Sequence, residues 1–113
     1  MRDNSELTLR KQNDFNRVYN KGRSKGSKYA VVIYNRNKLG YTRTAFVASK
    51  KVGNSVKRNH ARRLMRAAYA NIKEKIKPGY DIIFVAINTI NECKEEEVER
   101  SIFGAVRAAE LFE

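Results

Sequence analysis

The sequence lacks the features of secreted and membrane proteins. Its 113 residues contain one proline, no tryptophan and one cysteine, Cys93. A single cysteine excludes an internal disulfide and fits the reducing cytoplasm, where we expect the protein to act. No stretch approaches the roughly 18 apolar residues of a membrane span, and no apolar run follows the charged first residues as it does in a signal peptide. We therefore predict a cytoplasmic protein with no membrane partner.

Side chains that carry catalysis are also scarce. His60 is the only histidine, so neither a Cys/His nucleophilic site nor a clustered zinc site is available. Gly40 and Gly53 belong to no nucleotide-binding glycine pattern. We predict no catalytic residue and no metal-ligating residue in this chain.

Positive charge is what the sequence has in excess. It holds 24 Lys and Arg against 12 Asp and Glu, a net charge of +12. Two separate cores would each fall near the lower size limit for folding, so we predict a single domain over residues 1–113. Such a basic domain favours a polyanionic partner, with nucleic acid ahead of a membrane surface.

The charge is uneven along the chain. Residues 1–91 carry a net of +16, whereas residues 92–113 carry a net of −4. The densest stretch is 50–66, which has seven cations and no acid. Charge runs are often just solvated faces, but seven cations without one carboxylate favour a surface that binds phosphates.

Hydrophobic periodicity predicts an α+β fold with a mixed central sheet. The order is α-β-β-α-β-α, with a further strand allowed before the second helix. The predicted elements are a helix over 14–19, a loop over 22–26, a strand over 29–34, an antiparallel partner strand over 42–49, a helix over 55–75, an interior strand over 81–87 and a helix over 94–112.

The helix over 55–75 is predicted to be amphipathic and cationic. Its apolar residues fall on one arc, and Arg58, Arg62 and Arg66 form a stripe beside it. Lys57 and Arg58 in the first turn oppose the helix dipole, and Arg58 repels Arg62 one turn away. An anion lying against this face would compensate for both effects.

Three segments carry recognisable motifs. The first, over 50–66, reads KKVGNSVKRNHARRLMR. It is similar to the KK-[IV]-GN turn and RNR-type helix of the bacterial ribonuclease P protein family. Residues 9–22 are similar to its opening segment, and residues 80–83, YDII, to a strand. The resemblance covers roughly residues 7–110 and departs from the family at His60, where an arginine is usual.

The resemblance implies a function and a mechanism. The family protein binds a large catalytic RNA, and the holoenzyme is an endoribonuclease that hydrolytically removes the 5′ leader of precursor tRNA. The RNA carries the chemistry with Mg²⁺, and the protein fold contains a left-handed β-α-β crossover. The residues implied to bind catalytic RNA are Lys50, Lys51, Asn54, Lys57, Arg58, Asn59, His60, Arg62, Arg63 and Arg66.

A second site is implied for the leader of precursor tRNA. It is a cleft between the first helix and the sheet, where Phe15 and Tyr19 meet Ile33 or Tyr34, with Lys11 and Arg17 nearby. On the residues alone, two aromatics one helical turn apart are more often part of a core. The alternative is a stacking platform, on which bases bind with little sequence preference.

Two other functions are compatible with the composition. One is a basic binding module without catalysis, such as a ribosomal or DNA-binding protein. The other is a metal-dependent nuclease that acts alone, which has little support because carboxylates and histidines do not cluster.

Overall fold

The computed structural model describes residues 8–113. It contains three helices, four strands and two short 3-10 helices. In chain order these are α1 (Gln12–Lys21), β1 (Arg23–Gly26), β2 (Ala30–Arg36), β3 (Arg43–Val47), α2 (Ser55–Ala70), a 3-10 helix (Lys73–Lys75), β4 (Tyr80–Ala86), a 3-10 helix (Asn88–Glu92) and α3 (Glu95–Ala108). No helix within residues 8–113 is long and apolar enough to cross a membrane.

The four strands form one mixed sheet in the order β1-β2-β4-β3. β2 pairs antiparallel with β1 and β4, whereas β3 and β4 are parallel. The predicted α+β class and the interior position of β4 are confirmed. The left-handed sense of the connection from β3 through α2 to β4 stays a prediction.

Two expectations about strands were wrong. Residues 22–26 are not a loop, because Arg23–Gly26 pairs with β2 as an exposed edge strand. The strand after residue 42 is not the antiparallel partner of β2, because β4 lies between them. β4 pairs along both edges and contains three consecutive fully buried residues, Ile82, Ile83 and Phe84.

The two faces of the sheet are covered unequally. α2 and α3 pack on one face, where Val32 and Phe84 meet Met65 and Ile102 in the larger core. α1 packs on the other face over a small core of Leu9, Val18, Ala45 and Ile83. The apolar arcs predicted for the two long helices face this larger core, although α2 ends at Ala70 and a 3-10 turn follows.

A buried ion pair joins three elements beneath α1. Arg43 and Asp81 are direct partners in the β3–β4 register, and Asp81 is 1% exposed. The Arg43 guanidinium donates to both carboxylate oxygens of Asp81, at 2.9 and 2.7 Å, and to Asp14 of α1 at 3.2 Å. The hydrogen bonds with Asp81 raise the pKa of Arg43. Asn37 completes the site by donating to Asp81 at 2.9 Å.

Removing the cation of this pair is expected to destabilise the fold strongly. Arg43→Met leaves the Asp81 carboxylate buried without its partner, so the free energy of unfolding should fall by about 3 kcal/mol. Urea denaturation measures this change in the free energy of unfolding. The control is Arg17→Met, which breaks the more exposed 3.4 Å pair with Asp14 and should cost less than about 1 kcal/mol. Equal losses in the two variants would contradict the assigned role.

Candidate nucleic-acid interfaces

A tight turn and a side-chain cap fix the start of α2. Gly53 has a φ of +144°, a conformation that other residues rarely adopt. Asn54 then caps the helix, because its Oδ1 accepts the Lys57 backbone N–H at 3.0 Å. The Lys57 stem lies against Gly53, where an added Cβ would be 2.6 Å from Lys57 Cδ. The turn therefore sets where Lys50 and Lys51 sit relative to the helix.

The cations of residues 50–66 lie on the turn before α2 and on the first twelve residues of that helix, and most of them are exposed. We call this part of the molecule the cationic helix face. It consists of the ten residues predicted for catalytic RNA: Lys50, Lys51, Asn54, Lys57, Arg58, Asn59, His60, Arg62, Arg63 and Arg66. None of its seven Lys and Arg forms an ion pair with another residue of 8–113.

The arginines of this face are spread by local contacts with uncharged side chains. Arg58 donates to Ser55 at 3.2 Å, Arg62 donates to Asn59, and Arg63 lies 3.2 Å from the His60 Nδ1. Such contacts hold the guanidinium groups in place without neutralising them. The full positive charge of the face is therefore available to an external anion.

A shallow concavity of about 490 Å³ runs along the middle of the cationic helix face. Its lining residues are Val56, Asn59, His60, Arg62, Arg63 and Arg66. His60 lines this concavity beside Arg63, so the departure from the family pattern lies within the predicted surface. The concavity thus combines guanidinium donors with the apolar side chain of Val56.

Sequence reasoning missed three residues that shape this face. Val56 is 76% exposed among the cations, an isolated apolar residue that the helical pattern places outside the core stripe. Phe46 supports Arg66, whose guanidinium lies 5.6 Å from the ring centroid. Asn91 donates to the Lys57 carbonyl at 3.0 Å. The last two contacts join distant parts of the chain and have no signal in the sequence.

The second predicted surface lies on the opposite face of the sheet, beside α1, and we call it the sheet cleft. Phe15 and Ile33 are half-buried there with Val47 and Val85. Tyr19, one turn after Phe15, is 47% exposed. Among the helices of residues 8–113, only α1 packs on this face, and these four apolar side chains remain partly accessible beside it.

Gly22 allows the end of α1 to approach the sheet closely. A Cβ at this position would lie 2.4 Å from the Val18 carbonyl oxygen and 2.7 Å from that of Tyr34. The last turn of α1 therefore lies directly against β2, and the chain continues from there into β1. This contact sets the width of the sheet cleft at that end.

The structure corrects the placement of Tyr34. Ile33 faces α1, but successive strand residues point to opposite faces, so Tyr34 faces the α2–α3 side and is buried in the larger core. Tyr34 and Phe15 do not share a cleft. Lys11 and Arg17 are both exposed: Lys11 is the N-cap residue that precedes α1, and Arg17 lies within α1 and pairs with Asp14.

The cationic helix face and the sheet cleft together indicate a class of protein. An unpaired cationic helix face and an aromatic-lined cleft on one small α+β sheet are typical of an RNA-binding protein. Within residues 8–113, no three His, Cys, Asp or Glu side chains come together as a metal-ligand set.

Comparison with known proteins gives the family. The family model described as Ribonuclease P matches residues 4–110. The chain is 41% identical over 104 residues to the ribonuclease P protein component of Clostridioides difficile, covering 91% of each chain. It is 39% identical over 107 residues to that of Alkaliphilus metalliredigens, covering 95% of this chain and 96% of the relative. The chain belongs to the ribonuclease P protein family, whose members are protein components of a tRNA-processing ribonucleoprotein nuclease.

Solved structures agree with this assignment. The Staphylococcus aureus RNase P protein is 30% identical and superimposes with a TM-score of 0.85 over 95% of this chain and 98% of that one. A mutant of it with defective mRNA degradation activity gives a TM-score of 0.88 at 29% identity, over 96% and 92% of the two chains. The Thermotoga maritima protein gives 0.77 at 25% identity, over 86% and 92%.

Replacing the glycine of the turn before α2 is expected to destabilise the protein. Gly53→Ala adds a Cβ in a conformation that favours glycine and against Lys57, so we expect a loss of about 1–3 kcal/mol in the free energy of unfolding. The matched control is Gly104→Ala in α3, where an added Cβ meets nothing within 4 Å. Thermal and urea denaturation measure both variants. A Gly53→Ala protein as stable as Gly104→Ala would contradict the constraint.

Proposed function

We propose that this protein is the subunit of a ribonuclease P holoenzyme that binds the catalytic RNA through its cationic helix face. The supporting observation is the set of seven cations in residues 50–66, none of which pairs with a described carboxylate. Phosphates of the catalytic RNA would supply the missing negative charge. They would also relieve the repulsion between Arg58 and Arg62 and complement the positive N-terminal end of α2.

We propose that the sheet cleft holds the single-stranded 5′ leader of precursor tRNA. The exposed ring of Tyr19 and the half-buried ring of Phe15 lie beside an open apolar sheet face. Unpaired bases stack on aromatic faces with little sequence preference, which suits a leader of variable sequence. The exposed side chains of Lys11, at the N-cap of α1, and of Arg17, within α1, would contact the leader backbone.

In this proposal the protein positions RNA and does not supply the reacting groups. Mg²⁺ would be held at the RNA active site, as the resemblance to the family implies. The metal would supply an activated water and stabilise charge on the scissile phosphate. The protein would lower the repulsion between catalytic RNA and precursor tRNA and hold the leader, so that less Mg²⁺ is needed. We expect this to take place in the cytoplasm.

Reconstitution tests the proposed function. Precursor tRNA is incubated with a cognate catalytic RNA at low Mg²⁺, with and without the protein. We expect the protein to stimulate cleavage at the mature 5′ end and to cleave nothing alone. Absence of stimulation would overturn the proposal and favour a ribosomal or DNA-binding role. Cleavage by the protein alone would instead favour an independent nuclease.

Removing a cation from the helix face is expected to weaken binding of the catalytic RNA. Arg62→Ala or Arg66→Ala should lower the affinity and reduce the slope of log K against log salt by about one unit per lost phosphate contact. Filter binding over a range of salt concentrations measures the slope. The control is Arg107→Ala, which removes an exposed cation from α3. An Arg62→Ala slope equal to that of the control would exclude direct contact.

Changing the aromatics of the sheet cleft is expected to affect precursor tRNA selectively. Phe15→Leu keeps an apolar side chain against the small core but removes the aromatic ring. Tyr19→Ala removes an aromatic ring from an exposed position. Each should weaken holoenzyme binding of precursor tRNA by about 1–3 kcal/mol, through lost stacking, and leave mature tRNA unaffected. The control is Phe103→Ala, at an aromatic 41% exposed on α3. Equal losses for precursor and mature tRNA would contradict a leader site.

A further inference from the structure

A second cationic concavity lies at the β1 edge of the sheet, away from the cationic helix face, and we call it the edge groove. Its volume is about 670 Å³. Five cations line it, and Glu110 is the one carboxylate among its lining residues. The cations are Lys21, Arg23, Lys25, Arg36 and Lys77. None of them forms an ion pair with another residue of 8–113.

The edge groove has an aromatic wall as well as charge. Tyr80, which is half-buried, lines it together with Tyr34, whose side chain belongs to the larger core and is 9% exposed. The Arg36 guanidinium lies 5.8 Å from the centroid of the Tyr80 ring. A neighbouring concavity of about 410 Å³ shares Arg36, Lys77 and Tyr80 and adds Lys38. Cations spread over two neighbouring concavities suit an extended polyanion rather than a single small anion.

The edge groove begins where the sheet cleft ends. α1 carries Phe15 and Tyr19 along the cleft, and its last residue, Lys21, lines the groove. β1 forms the rim between the two surfaces because its side chains alternate across the sheet. Ser24 is the register partner of Ile33 on the cleft side, whereas Arg23 is the partner of Tyr34 on the groove side.

We propose that the edge groove binds the distal part of the 5′ leader, after the strand has passed through the sheet cleft and over β1. The inference rests on the proposed function, since it assumes that the proximal leader occupies the cleft. Lys21, Arg23 and Lys25 contact the phosphates as the strand crosses the rim. The holoenzyme therefore binds long leaders more tightly than short ones, with the additional affinity arising in the groove.

The test compares precursor tRNAs with a short leader of about four nucleotides and a long one of about twelve, two lengths within the range of single-strand site sizes. The groove variant is Arg23→Gln with Lys25→Gln, at two exposed positions of the edge strand. The matched control is Lys73→Gln with Lys75→Gln, which removes the same charge from the exposed 3-10 helix after α2. Binding is measured with the holoenzyme over a range of salt concentrations, and melting curves verify the fold.

We expect the groove variant to lose affinity for the long-leader precursor and to lower its salt slope by about 1.4 units, for two single-strand phosphate contacts. Binding of the short-leader precursor and of the catalytic RNA should match wild type, as should all binding by the control. Equal loss for both leaders, or no loss for either, would overturn the inference. Arg36→Gln, in β2, gives the same test if the double variant melts early. Failure of the proposed function is recognised separately, because wild-type protein would then not stimulate cleavage.

Discussion

The buried contact between Arg43 and Asp81 is the interaction on which both proposed RNA-binding surfaces depend. It fixes the register of β3 against β4. The chain leaves the sheet at the end of β3, forms α2 and returns to the sheet at β4. The same guanidinium reaches Asp14 and so docks α1 on the sheet. Because breaking a buried pair leaves an uncompensated charge, one arginine couples the position of the sheet cleft to that of the cationic helix.

The two faces of the sheet carry surfaces of different chemistry, one charged and one apolar. On the α2–α3 side a large core holds a helix whose outward charges repel one another. On the α1 side a small core leaves apolar side chains partly exposed. Neither arrangement is favourable in isolation, since like charges on a helix and exposed apolar surface both cost stability. Both would be compensated by the proposed partners, which carry phosphates and unpaired bases.

Residue patterns predicted the parts of the fold that are governed by local periodicity. The apolar arc of α2, the six apolar residues after Asp81 and the stripe of α3 each indicated their element. β1 escaped prediction because Arg23–Gly26 has no strand-forming residues and depends on pairing with β2. The strand β3 was predicted, but its pairing was not. A short connection from β2 suggested a hairpin, whereas β4 comes from far along the chain and lies between the two strands. Tyr34 was misplaced because the facing of a strand residue depends on a register that only the assembled sheet defines.

The central claim is that opposite faces of one sheet contact two different RNAs. Site-directed crosslinking tests it most directly. In a Cys93→Ser background, a single cysteine is introduced at one of two exposed positions, and a photoreactive group is attached to it. The positions are Val56, which lines the concavity of the cationic helix face, and Asn16, which follows Phe15 in α1. In the holoenzyme with precursor tRNA, the account predicts that the probe at position 56 labels the catalytic RNA and the probe at position 16 labels the leader. Labelling of the same RNA from both positions would contradict it.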